Sequence, residues 1–232
     1  RTIFLCALFV SILSSRAFAE EAAEVQRLLQ SARAQIGRTI KYDGSYQRIS
    51  YPGGDVPIER GVCSDVVIRA YRSIGIDLQK QLHEDLKLHF SAYPSKRIWG
   101  LSSPDSNIDH RRVPNLEKFL ERHGHVRSTN LGTSPAKAGD LLTWRLPGGL
   151  PHIGIVSDRQ NADGKHNLVI HNIGRGAKEE DVIGQFELKK ELGIGGMGVV
   201  YLAIETSLNR EVALKMIRPG VPPRRASSPS RL

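Results

Sequence analysis

The chain has 232 residues, enough for one ordinary domain of about 100–200 residues and a remainder. Hydrophobic residues make up 40% and charged residues 25%, near the globular average, which excludes disorder throughout, collagen and coiled coil; two cysteines exclude a disulfide scaffold and a four-cysteine zinc site. A net charge of +9 favours anionic surroundings such as cell-wall polymers, lipid headgroups or nucleic acid, but its uneven spread makes it weak evidence for nucleic acid, and no nucleic-acid partner is inferred.

Residues 1–19 have the layout of a secretory signal peptide. Arg1 precedes the apolar run Ile3 to Leu13, and Ala17-Phe18-Ala19 offers a small-x-small exit. The run is too short to span a bilayer, which takes about 20 residues, so the mature chain is expected to lack a transmembrane span and to be periplasmic or secreted. Cleavage after Ala19 removes Cys6 and leaves Cys63 as the one thiol. Without a partner it is either a buried hydrophobe or a reactive group.

Glu20 to Ile36 carries apolar residues at helical spacing and stops at Gly37. Tyr42 to Arg60 is turn-rich and reads as a surface loop. From Gly61 to Gly75, the residues Cys63, Val66, Val67, Ala70 and Ile74 share one helical face, which puts Cys63 in the first turn of a helix. His83 to Trp99 is of mixed pattern, Ser102 to Arg112 a polar loop, and Asn115 to His123 a short helix. Three strands follow: Asp140 to Arg145, His152 to Ser157 and Leu168 to His171. Helices first and an antiparallel meander after is an α+β layout.

The chemistry gathers on Cys63. Unpaired amides at a helix start favour the thiolate, and a histidine on an adjoining strand is the usual base. His152 opens one strand and His171 closes the next. A turn at Asn161-Ala162 sets the two opposite each other, and a turn at Asp163-Gly164 slips the register by two pairs each way. In the first case His171 or Asn172 could hold the His152 imidazole in its useful tautomer. Taken singly, each histidine reads as a satisfied structural or surface group; taken together with the helix-start cysteine, the pair reads as functional. The loop Pro104 to Arg112 gathers Asp109, His110, Arg111 and Arg112. It reads either as a clamp for a substrate carboxylate or as a self-bonded loop in which Asp109 and Arg112 satisfy each other. His123 and His125 lack further metal ligands and read as a surface pair; no metal and no cofactor are expected.

The segments Gly61-Val62-Cys63-Ser64-Asp65, Gly139-Asp140-Leu141-Leu142, His152-Ile153-Gly154-Ile155 and Ile170-His171 are similar, in order, to papain-like cell-wall peptidases of the NlpC type. Tyr42-Asp43-Gly44-Ser45-Tyr46, Tyr51-Pro52-Gly53-Gly54-Asp55, Asn107 to Leu116 and His171-Asn172-Ile173-Gly174 more closely resemble the bacterial domain-of-unknown-function 1287 family over residues 24–183. The resemblance implies a papain-like α+β fold, with Cys63 as nucleophile, His152 as base, His171 as the orienting residue and Tyr42 facing substrate. The resemblance implies no substrate; the function expected is a secreted cysteine hydrolase of amidase or peptidase type acting on an amide or ester bond, with cell-wall peptide or another envelope polymer as the expected partner. The alternative is a non-catalytic envelope-binding module of the same fold.

From Phe186 onward the pattern changes. Gly193-x-Gly195-x-x-Gly198 with Lys215 in Val212-Ala213-Leu214-Lys215 is similar to the opening of bacterial serine/threonine kinases, in which glycines and a lysine cradle ATP phosphates. No catalytic loop or metal-binding Asp-Phe-Gly follows, so kinase activity is excluded and an ATP-binding fragment is a further alternative. Residues 20–184 are thus read as the hydrolase domain, 185–218 as a truncated kinase-like β segment and 219–232 as a disordered tail.

Overall fold

The computed structural model describes residues 19–123, 136–195, 198–205 and 210–217. The signal-peptide run, the C-terminal tail and His125 lie outside these residues.

The first helix, α1, covers residues 19–33 and buries Leu28, Leu29 and Ala32, the stripe that its apolar spacing predicts. Two short parallel strands, β1 (Lys41–Tyr42) and β2 (Arg60–Gly61), bracket the turn-rich loop. They bring Tyr42 beside the start of α2 (Cys63–Arg72). Val66, Val67 and Ala70 of α2 are wholly buried, as their shared face requires.

Where the sequence reading found only a mixed pattern, the chain forms α3 (Leu78–His89), capped by the Asp77 side chain, which accepts from the Gln79 amide at 3.1 Å. Its signal is the trio Leu78, Leu82 and Leu86, four residues apart and all buried. The intervening Lys, Gln, His and Glu residues dilute that signal. Next come α4 (Ser95–Trp99), ended by Gly100 in the left-handed conformation (φ 66°), and α5 (Val113–His123).

The second half is an antiparallel meander of β3 (Leu141–Arg145), β4 (Pro151–Gln160), β5 (Asn167–Asn172) and β6 (Ala177–Glu180). Leu141, Ile153, Ile155 and Ile170 join side chains of α1, α2, α3 and α5 in one core. Helices on one face of an antiparallel sheet make the fold α+β.

The C-terminal segment adds β7 (Phe186–Gly195), β8 (Gly198–Glu205) and β9 (Arg210–Ile217). These do not stand apart. Strand β9 pairs antiparallel with β3 from Leu141↔Ile217 to Trp144↔Leu214, giving the order β6-β5-β4-β3-β9-β8-β7. It is Arg210–Ile217 that takes the place beside β3.

This pairing sets an expectation for truncation. Deleting Gln185 to Leu232 turns β3 into an edge, strips the ladder partners from Leu141 to Trp144 and leaves unpaired backbone groups on a buried strand. We expect a clear fall in Tm and a rise in aggregation. An unchanged Tm would show that β9 adds nothing to the meander.

Candidate functional site

Cys63 is the first residue of α2. The turn before it is fixed by Asp65, whose Oδ2 accepts from the Val62 amide at 2.6 Å. Arg111 holds that carboxylate from outside, with Nε 3.0 Å from Oδ1 and Nη2 3.0 Å from Oδ2. The same guanidinium donates to the carbonyls of Ser45 and Asp43. Ser64 Oγ donates to the Arg111 carbonyl at 2.7 Å. Three separate stretches of chain are thereby locked around the helix start. Gly61 is required there, because a Cβ at that position would lie 2.8 Å from Asp65 Oδ2.

The sheet side is built by register. The β4–β5 loop turns at Asp163-Gly164, where Gly164 has φ 69°, and the strands pair as Gln160↔Asn167. An irregularity between Val156 and Gln160 then shifts the ladder to Ile155↔Ile170. Continued by one residue, that register sets His171 against Gly154, with His152 on the diagonal. Only glycine fits at 154, since a Cβ would stand 3.0 Å from His171 Cβ and 2.6 Å from Val169 Cγ1. The two imidazoles close the diagonal, with His152 Nε2 3.0 Å from His171 Nδ1. Trp144 packs against both rings at centroid distances of 4.6 and 5.3 Å. His171 Nε2 in turn meets Glu180 Oε1 of β6 at 3.0 Å.

The paired register of β4 with β5 begins at Ile155, and the start of α2 meets the sheet beyond that point. Asn172 Nδ2 donates to the Gly61 carbonyl at 2.8 Å, and the Ile153 amide hydrogen-bonds the Cys63 sulfur. The thiol therefore lies against the peptide that follows His152. Cys63 and His152 line one cavity of about 660 Å³ together with Tyr42, Trp99, Arg112 and Leu150.

Electrostatics leave this pair uncharged at rest. The Tyr42 hydroxyl and the amides of Ile153 and Ser64 favour a thiolate, but burial outweighs them. With the Asp65 charge opposing as well, the Cys63 thiol is pushed up to about 11. Burial, then the His171 ring, pushes His152 down to about 3. The helix-start argument alone points to a thiolate; desolvation of a cysteine only 2% exposed reverses it.

The structure divides the remaining predicted residues. Tyr42 lines the cavity with its hydroxyl toward Cys63, and burial holds that phenol above its ordinary value. Arg111 and Arg112 also line it, although Arg111 is committed to Asp65. Arg112 stacks over Trp99 at 4.2 Å and pairs with Asp109 at 3.1 Å. Asp109 and His110 are not brought to the cavity. Asp109 is buried and accepts from the Asp105 amide. His123 contacts Asp85 and the Phe119 carbonyl. No group of three or more potential metal ligands occurs among the described residues, and no described helix is long and apolar enough to cross a membrane. Gly193 and Gly195 lie in β7, Gly198 opens β8 and Lys215 lies in β9 opposite Thr143.

Glu180 is the residue that sequence reasoning missed. Its strand is four residues long with three charged members, so no apolar alternation announces it. The available signal is its reach, through β6, to a histidine already singled out.

Two buried neutral histidines make stability depend on pH. His152 is one. His110 is the other, 2% exposed with Nδ1 unpartnered and pushed down to about 3 by burial, then by Arg111 and Arg72. In the unfolded chain both return to about 6.5. Between about 6.5 and 3 the unfolded state holds more protons, so the stabilisation is complete above 6.5 and is lost as pH falls through this window. Urea midpoints measured from pH 8 to 4 should fall on the acid side, and His110→Leu should flatten part of that slope. A midpoint constant from pH 7 to 5 would contradict this.

Among curated proteins the chain is 58% identical over 156 residues to "Uncharacterized protein YijF" of Escherichia coli (strain K12), a match covering 67% of this chain and 75% of that protein. No solved structure matches. The family described as "Domain of unknown function (DUF1287)" matches residues 29–191, a span that holds Cys63, His152, His171 and Glu180 and reaches into β7. On that match, the chain belongs to the DUF1287 family.

Proposed function

We propose that the protein is a secreted, periplasmic cysteine hydrolase of papain-like, NlpC-type fold, cleaving an amide or ester bond in cell-wall peptide. One observation carries the reading. A cysteine at a helix start shares a cavity with a histidine whose Nε2 is held by a second histidine. Nucleophile, base and orienting group are the parts acyl transfer needs.

Because Cys63 and His152 are both neutral at rest, the proton moves as the bond forms. A substrate carbonyl enters the cavity, His152 takes the thiol proton, and sulfur attacks carbon. The Cys63 amide, at the helix start, donates to the developing oxyanion. His152 then returns the proton to the leaving amine or alcohol. Water, deprotonated by the same imidazole, hydrolyses the thioester and regenerates the thiol. Tyr42 and the Trp99–Arg112 stack form walls against which the substrate is positioned.

The test is digestion of purified peptidoglycan by the mature protein, with soluble products identified by mass. New termini at one bond type, absent with Cys63→Ala, are the expected result; no products under conditions in which the protein binds the polymer would overturn the reading. The neutral thiol specifically favours one second reading, a non-catalytic module that binds envelope polymer in the same cavity. That reading predicts equal binding by the parent and by Cys63→Ala, and turnover by neither.

A further inference from the structure

We infer that Glu180 is a positioning residue that fixes the protonation pattern of the His152–His171 pair and so keeps the Nδ1 lone pair of His152 free as the proton acceptor. The inference rests on the hydrolase reading for its catalytic meaning, and on geometry alone for the proton pattern.

Start from the carboxylate. Glu180 is ionised at neutral pH, because the His171 contact holds it below the ordinary glutamate range. An ionised carboxylate only accepts. His171 Nε2, 3.0 Å from Glu180 Oε1, must therefore carry a proton. In a neutral His171 this leaves Nδ1 as an acceptor. His152 Nε2, 3.0 Å from that Nδ1, must in turn donate. His152 is neutral, so its single proton sits on Nε2 and Nδ1 keeps its lone pair. With both rings uncharged as the premise, each assignment follows from the one before it, and Glu180 is the member of the relay whose role is fixed by chemistry rather than by choice of tautomer.

Reverse the chain and the cost is plain. Without an acceptor at residue 180, His171 can take either tautomer. With the proton on its Nδ1 it donates to His152 Nε2, and His152 must then hold its proton on Nδ1. That form cannot accept a proton from Cys63 through the nitrogen still available. The same logic explains why a histidine, rather than a carboxylate, can orient the base in a buried site. His171 is 2% exposed, whereas Glu180 is only partly buried, so the relay moves the charge outward to where water helps solvate it.

The inference is tested on the full chain labelled with ¹⁵N-histidine. Long-range ¹H–¹⁵N correlation at neutral pH reads which ring nitrogens carry protons. The parent is expected to show both His152 and His171 protonated at Nε2 alone. In Glu180→Ala the nitrogen shifts of His152 should move toward a mixture of the two tautomers. The kcat on peptidoglycan should fall by on the order of 10–100-fold, with KM little changed. Glu180→Gln, which keeps an acceptor oxygen and the shape, should move the same resonances less, and it supplies the readout should the alanine variant fail to fold. A residue that merely braces β6 would lower Tm and leave the tautomers alone. A parent His152 protonated at Nδ1, or an unchanged nitrogen pattern in both variants, overturns the inference. If the tautomers shift but the parent cleaves nothing, the relay stands and the hydrolase reading falls.

Discussion

Cys63→Ala is expected to abolish turnover, by at least about 10⁴-fold, since the residual rate without the nucleophile comes only from binding and oxyanion contacts. The cost to folding should be small. Cys63 is buried within the core cluster, so losing its sulfur leaves a minor cavity worth about 1 kcal/mol. The two effects separate cleanly in measurement, by product formation on one side and a urea midpoint on the other. Cys63→Ser is a sharper variant: it keeps a protic group against the Ile153 amide while exchanging sulfur for a much poorer nucleophile. Turnover retained by either variant would remove Cys63 from the chemistry.

The second large effect is structural and sits beneath the first. Arg111 and Asp65 each have only 3% of their side-chain surface exposed, and Asp65 also caps the turn before Cys63. Arg111→Ala strands a buried carboxylate and releases the carbonyls of Asp43 and Ser45, at a cost of about 3–5 kcal/mol. Chemical denaturation should show this as a lower midpoint with an unchanged slope. Replacing both partners, as Asp65→Asn with Arg111→Met, should recover part of the loss because no charge is then left unpaired. A single Arg111 variant within about 0.5 kcal/mol of the parent would mean that water reaches Asp65. Loosening this knot also lets the helix start drift from His152, so activity should fall faster than stability in Arg111→Lys, which keeps the charge but not the fork.

The local sequence determined much of this protein by itself. Apolar residues at helical spacing placed α1, α2 and most of α5, and period-two runs placed β3, β4 and β5, because each of these elements buries one face against the same core. It also put Cys63 at a helix start and His152 and His171 at strand ends, since those positions follow from where patterns begin and stop. Tertiary structure decided the rest. Whether the histidines meet depended on the irregularity between Val156 and Gln160 and on the missing side chain of Gly154, neither of which a periodicity shows. Glu180 and the β9–β3 pairing had no local signature, because the first lies on a short charged strand and the second joins segments about 70 residues apart. Arg111, in a loop that could have faced a substrate, is instead spent on Asp65. The charge state of Cys63 turned on burial: a helix start favours the thiolate, and only the packed fold shows that desolvation outweighs it.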